Sequence, residues 1–136
     1  MKKYLVVAAI VLGLSMALAA CGGSGPSTNL RVDMVEFMFD PTSLTVPAGQ
    51  EITIELHNNG AIEHDFIIMK FGAQVGDDFG DEDRPNVYWE AKLQPGTSST
   101  YTFTAPSQPG EYQIVCGIPG HYIAGMSATL KVVASE

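Results

Sequence analysis

Apolar residues in this chain recur at every second position within short stretches. Leu30, Val32 and Met34 alternate with polar neighbours, and Ile52, Ile54 and Leu56 do so in Glu51-Ile52-Thr53-Ile54-Glu55-Leu56. Tyr101 and Phe103, Tyr112 and Ile114, and Ala128, Leu130 and Val132 repeat the pattern. A period of two puts one face of an extended strand against a core and leaves the other in water. Turn signals separate the stretches at Asp40-Pro41, Pro47-Ala48-Gly49, Asn58-Asn59-Gly60, Gln94-Pro95-Gly96 and Gln108-Pro109-Gly110. Short strands at this spacing close into an all-β sandwich or barrel. Residues 72–92 break the alternation. They predict a long irregular or helical insertion whose acidic run, Asp77-Asp78-Phe79-Gly80-Asp81-Glu82-Asp83, faces solvent. Its carboxylate spacing does not match an EF-hand loop. Tyr88 and Trp89 are placed to pin the return of this insertion onto the sandwich.

The N-terminus follows a different logic. Met1-Lys2-Lys3 is a short basic region, and an apolar run follows from Tyr4 to Ala20. This is the pattern of an export signal. It ends in Leu18-Ala19-Ala20-Cys21, which resembles a bacterial lipobox, in which the cysteine is acylated and becomes the mature N-terminus. The expected division is a lipoprotein signal peptide over 1–20, a lipidated flexible tether over 21–29 and one domain over 30–136. A lipid anchor on Cys21 would attach the chain to a membrane without a spanning segment. An uncleaved membrane anchor is the rival reading of the same run. The whole chain carries 7 Lys+Arg against 15 Asp+Glu, a net charge of −8. Removing Lys2 and Lys3 with the signal leaves 5 against 15, or −10. Such acidity excludes nucleic acid and anionic lipid headgroups as partners, since both need a positive face.

With Cys21 assigned to lipid, Cys116 is a lone thiol in an exported chain, a context in which cysteines usually pair. It is in phase with the inward-facing Tyr112 and Ile114. The loop Gly117-Ile118-Pro119-Gly120 returns the chain to His121, and a second loop containing Gly125 brings Met126. His64 stands at the start of another strand, in Glu63-His64-Asp65-Phe66. A thiolate, two imidazoles and a thioether match a mononuclear blue copper site that holds one geometry for Cu(I) and Cu(II). Zinc could take the same thiolate and imidazoles, but a thioether is a poor ligand for it. A Cys–His nucleophilic pair is a further possibility. It leaves Met126 unexplained, and no oxyanion-stabilising group is evident. Burial of Cys116 as a small core hydrophobe is the plainest alternative. The third histidine, His57, falls in phase with Thr53 and Glu55 on the outer, polar face of its strand.

At Glu63-His64-Asp65-Phe66 and Cys116-Gly-Ile-Pro-Gly-His121-Tyr-Ile-Ala-Gly-Met126 the chain resembles the cupredoxins, most closely the auracyanin-type blue (type 1) copper proteins. The likeness covers nearly all of residues 30–135. It implies a cupredoxin-like (plastocyanin-like) fold, an eight-stranded Greek-key β-sandwich with one copper ion near one end. It implies His64, Cys116, His121 and Met126 as ligands, with His121 as the edge through which electrons pass. Many relatives carry Asn after the first ligand histidine, where Asp65 stands here. Ile118 is not proline, so its N–H, with that of Asp65, is free to donate to the thiolate sulfur. The resemblance implies an exported, lipid-anchored, monomeric carrier facing the periplasmic or extracytoplasmic side, and not an enzyme. Its partners would be c-type cytochromes or respiratory or photosynthetic membrane complexes. A periplasmic copper carrier delivering metal to an oxidase is the alternative.

Overall fold

The computed structural model describes residues 25–136. The export signal over 1–20 and the acylation of Cys21 lie outside these residues. Among the described residues nine strands form two sheets. In chain order they are β1 (Asn29–Val35), β2 (Met38–Asp40), β3 (Ser43–Pro47), β4 (Glu51–Asn58), β5 (His64–Met69), β6 (Val87–Leu93), β7 (Ser98–Thr104), β8 (Gly110–Val115) and β9 (Ser127–Val133). One sheet has the order β2-β1-β4-β7 and the other β3-β9-β8-β5-β6. The chain passes between the sheets, so β1 lies parallel to β4 and β3 parallel to β9, while the other pairs are antiparallel. The cupredoxin resemblance implies eight strands. The ninth is a consequence of β2, whose three residues are too few to display a period, although Phe39 within it is fully buried.

Alternation and burial agree strand by strand. Ile52, Ile54 and Leu56 of β4 are fully buried beside Val32 and Met34 of β1, and they face Ile114, Leu130 and Val132 of the opposite sheet. His57 is on the outer face, with Nδ1 2.7 Å from Ser98 Oγ and Nε2 2.7 Å from Glu55. Trp89 closes one side of the core, stacked on Phe103 at 4.9 Å and edge-on to Phe66 at 6.3 Å. The hydroxyl of Tyr88 donates to the Thr104 carbonyl. Together they hold the return of the insertion.

Strand β5 is the exception to the alternation, because all six of its residues are buried. Phe66 and Ile68 face the main core. Ile67 and Met69 face a second apolar cluster with Val75, Phe79 and Val115. A strand covered on both faces reads as a continuous apolar run. The cover is the insertion itself. It is not the solvated loop the acidic run suggests, because Val75 and Phe79 anchor it to the sheet. The irregular stretch also ends sooner than residue 92. It contains one 3-10 turn, Arg84–Asn86, after which the chain enters β6.

Candidate metal centre

The sandwich brings three loops to one end. One follows β1 and carries Glu36 and Phe37, one joins β4 to β5 and delivers His64, and one joins β8 to β9. Cys116 is the first residue beyond β8, and its side chain continues the inward phase of Tyr112 and Ile114 into the core cluster. The loop that follows is closed by its own backbone. The Cys116 N–H donates to the Met126 carbonyl at 3.2 Å, and the Met126 N–H donates to the His121 carbonyl at 3.0 Å. Cys116, His121 and Met126 are thereby fixed relative to one another before any ligand is considered. Among the described residues, His64, Cys116 and His121 form the one group of His, Cys, Asp or Glu whose donor atoms converge closely enough to hold a metal ion. Met126 is fully buried in the same core cluster as Cys116.

The donor triangle can be tested for fit. His64 Nδ1 and His121 Nδ1 are 3.2 Å apart, His121 Nδ1 and Cys116 Sγ 3.4 Å, and His64 Nδ1 and Sγ 4.0 Å. The point equidistant from the corners of a triangle with those sides lies about 2.1 Å from each. First-row ions bind imidazole nitrogen at about 2.0–2.1 Å and thiolate at about 2.3 Å. The triangle therefore fits one such ion. Burial is equally selective. His64, Cys116 and Met126 are wholly inaccessible, whereas His121 keeps 5% of its surface exposed.

Local electrostatics favour ligation. Burial lowers the pKa of His64 below the usual imidazole range, and the neighbouring His121 lowers it further, against the pull of Glu36. The ring is thus held neutral, with a lone pair to give. Burial pushes the Cys116 thiol up, while the backbone N–H groups of Ile118 and Asp65 act in the direction of the thiolate. The Asp65 N–H is 3.4 Å from the sulfur. Of the two expected N–H donors, Asp65 is the one at hydrogen-bonding distance. The Asp65 carboxyl is itself raised by burial, opposed chiefly by Lys92, whose Nζ is 3.6 Å from Oδ1.

Three supporting residues escape the sequence reading. Glu36 Oε1 lies 3.6 Å from His64 Nε2 and accepts from the Ala61 and Ile62 N–H groups at 2.7 and 3.1 Å. It ties down the loop that delivers His64 and sets a negative charge behind the ring, beyond hydrogen-bond distance of Nε2, which has no hydrogen-bond partner. Asn58, 1% exposed, donates through Nδ2 to the Ile62 and Leu93 carbonyls and accepts from the Gly60 N–H. Phe37 packs edge-on against His121 at 4.9 Å. Asn58 reads in sequence as one of a turn cluster. For Glu36 and Phe37 the only signal is their place just after an alternating strand.

Comparison with known proteins places this site in a family context. The model of the cupredoxin-like domain matches residues 6–127. Auracyanin-A of Chloroflexus aurantiacus is 35% identical over 147 residues, spanning 87% of this chain and 90% of that protein. The crystal structure of dithionite-reduced auracyanin from Roseiflexus castenholzii is 34% identical, with a TM-score of 0.68 over 80% of this chain and 99% of that one. The structure of auracyanin A from C. aurantiacus, described as a "blue" copper protein, is 32% identical, with a TM-score of 0.60 over 77% of this chain and 99% of that one.

Proposed function

This chain belongs to the cupredoxin-like family, and we propose that it is a mononuclear blue copper protein that carries single electrons. The observation that carries the reading is the buried His64–Cys116–His121 triangle, sized for one first-row ion, with Met126 buried beside it. His64, Cys116, His121 and Met126 would hold the ion, and copper would supply a one-electron couple without proton transfer or bond cleavage. Thiolate and thioether suit Cu(I), and the imidazoles suit both states. The chain's own contribution is rigidity and access. Backbone hydrogen bonds lock three of the donors into one loop, the 58–64 loop, itself tied down by Glu36, presents the fourth, and the core excludes water from all but the edge of His121. Four protein donors leave no open position for a substrate, in keeping with a carrier and not an enzyme.

His121 is the side through which electrons would enter and leave. Phe37, 41% exposed, packs against it, Ile123, 69% exposed, follows two residues on, and Ile62, 41% exposed, is on the loop that delivers His64. An apolar patch of this kind suits the brief, small contacts of redox partners. The chain's negative charge would steer a basic partner such as a c-type cytochrome. Export, removal of residues 1–20 and lipid attachment at Cys21 complete the proposal. They are supported by the basic, apolar and lipobox-like order of the N-terminus. The reading is tested by adding Cu(II) to metal-free protein. An intense absorption near ~600 nm is expected from a thiolate–copper bond. A colourless protein that retains zinc instead would overturn it.

A further inference from the structure

The insertion between β5 and β6 reaches the ligand loop at three points. Asp78 Oδ2 accepts from the Gly120 N–H at 2.6 Å, while Oδ1 is buried with no other partner. Gly120 directly precedes His121 and has a φ of +85°, a conformation glycine holds without strain. Phe79 lies under Gly117, where a Cβ would sit 3.2 Å from the Phe79 ring. The Tyr122 hydroxyl accepts from Gln113 Nε2 at 2.9 Å, and Gln113 Oε1 accepts from the Val75 N–H at 2.8 Å. The insertion thus touches the residues just after Cys116 and on both sides of His121. It is also braced internally. Asp83 accepts from the Gly80 N–H at 2.9 Å, and the Arg84 guanidinium lies 4.7 Å from the Phe79 ring centre.

We propose that this strap, residues 73–84, positions the metal loop, and that Asp78 is its positioning residue. The inference rests on the blue copper reading above and assigns a purpose to the acidic insertion. A carboxylate accepting from an amide makes a stronger hydrogen bond than a neutral acceptor. Aimed at Gly120, it holds the backbone one residue from His121 whether or not a metal is bound. The ligand loop is then arranged beforehand, and loss of metal does not gain the freedom of a loosened loop.

Two variants separate the hydrogen bond from the charge. Asp78→Ala removes both, and Asp78→Asn keeps an acceptor oxygen without the charge. In the metal-free chain, amide exchange at Gly120 should accelerate at least about tenfold in D78A and by a clearly smaller factor in D78N, which keeps a weaker, neutral acceptor. In the copper-loaded chain, release of copper to a chelator should follow the same order. The reduction potential should rise in both, since both remove a negative charge near His121. Unchanged Gly120 exchange in D78A would overturn the proposal. So would D78N exchanging as fast as D78A, because an acceptor oxygen at that position would then hold nothing. A wild-type chain without blue absorption would overturn the copper reading instead, and the exchange data would still decide the positioning role.

Discussion

Asn58 offers the sharpest test of how the fold delivers its first ligand. Its side chain makes three hydrogen bonds, to the Ile62 carbonyl at 2.8 Å, the Leu93 carbonyl at 3.0 Å and the Gly60 N–H at 3.0 Å. A hydrogen bond contributes about 1 kcal/mol net, and a buried partner left unsatisfied costs about 1–3 kcal/mol. Asn58→Ala should therefore destabilise the domain by about 3 kcal/mol or slightly more. For a domain of this size that corresponds to a fall in Tm of about 12 °C. Asn58→Asp preserves the shape and the acceptor for Gly60, but it turns an oxygen toward two carbonyls and buries an unpaired charge. At neutral pH it should cost at least as much as the alanine. The assay is urea unfolding of the metal-free protein, followed by the fluorescence of Trp89, with thermal melts alongside. If N58D stays within about 1 kcal/mol of wild type, packing and not hydrogen-bond direction holds the loop, and this account of His64 delivery is wrong.

Further outcomes are expected elsewhere in the site. At Gly117 a Cβ would sit 2.6 Å from Ile67 Cδ1 and 2.9 Å from Asp65 Oδ2. Gly117→Ala should thus lose about 2 kcal/mol by overpacking, read as a lower urea midpoint with an unchanged slope. Glu36→Gln removes a negative charge from behind His64 and should raise the reduction potential, measured by voltammetry on the copper-loaded protein. Electron transfer to a cationic cytochrome should slow as ionic strength rises from about 0.01 to 0.15 M, over which the screening length falls from about 30 to 8 Å. A salt-independent stopped-flow rate would remove the steering role of the acidic surface.

Much of the fold was legible because its signals are local. Ile52, Ile54 and Leu56 announce their strand and its buried face within five residues. Cys116, His121 and Met126 fall within eleven residues of one another, and their chemistry identifies them without a tertiary structure. What escaped depends on contacts between distant positions. Asp78 meets Gly120 across 42 residues, and Glu36 meets the amide of Ala61 across 25. In sequence Asp78 belongs to an acidic run that reads as solvated, since charge patterning cannot reveal that Phe79 next to it is buried. Asn58 looked like a turn former because asparagine favours turns for its local hydrogen bonds. Its actual partners include Leu93, 35 residues away. The uniform burial of β5 has the same origin, because its second cover is supplied by a segment that carries no apolar period.

That second cover limits how the domain can be altered. Loops on β-sandwiches commonly vary in length, because little depends on them. This one is the outer wall of a third layer. Trimming it to a tight hairpin would expose Ile67, Met69 and Val115 together on the face of the sheet. Contiguous apolar surface of that kind is adhesive, so a minimised version of this protein would tend to self-associate unless those three positions were made polar in the same step.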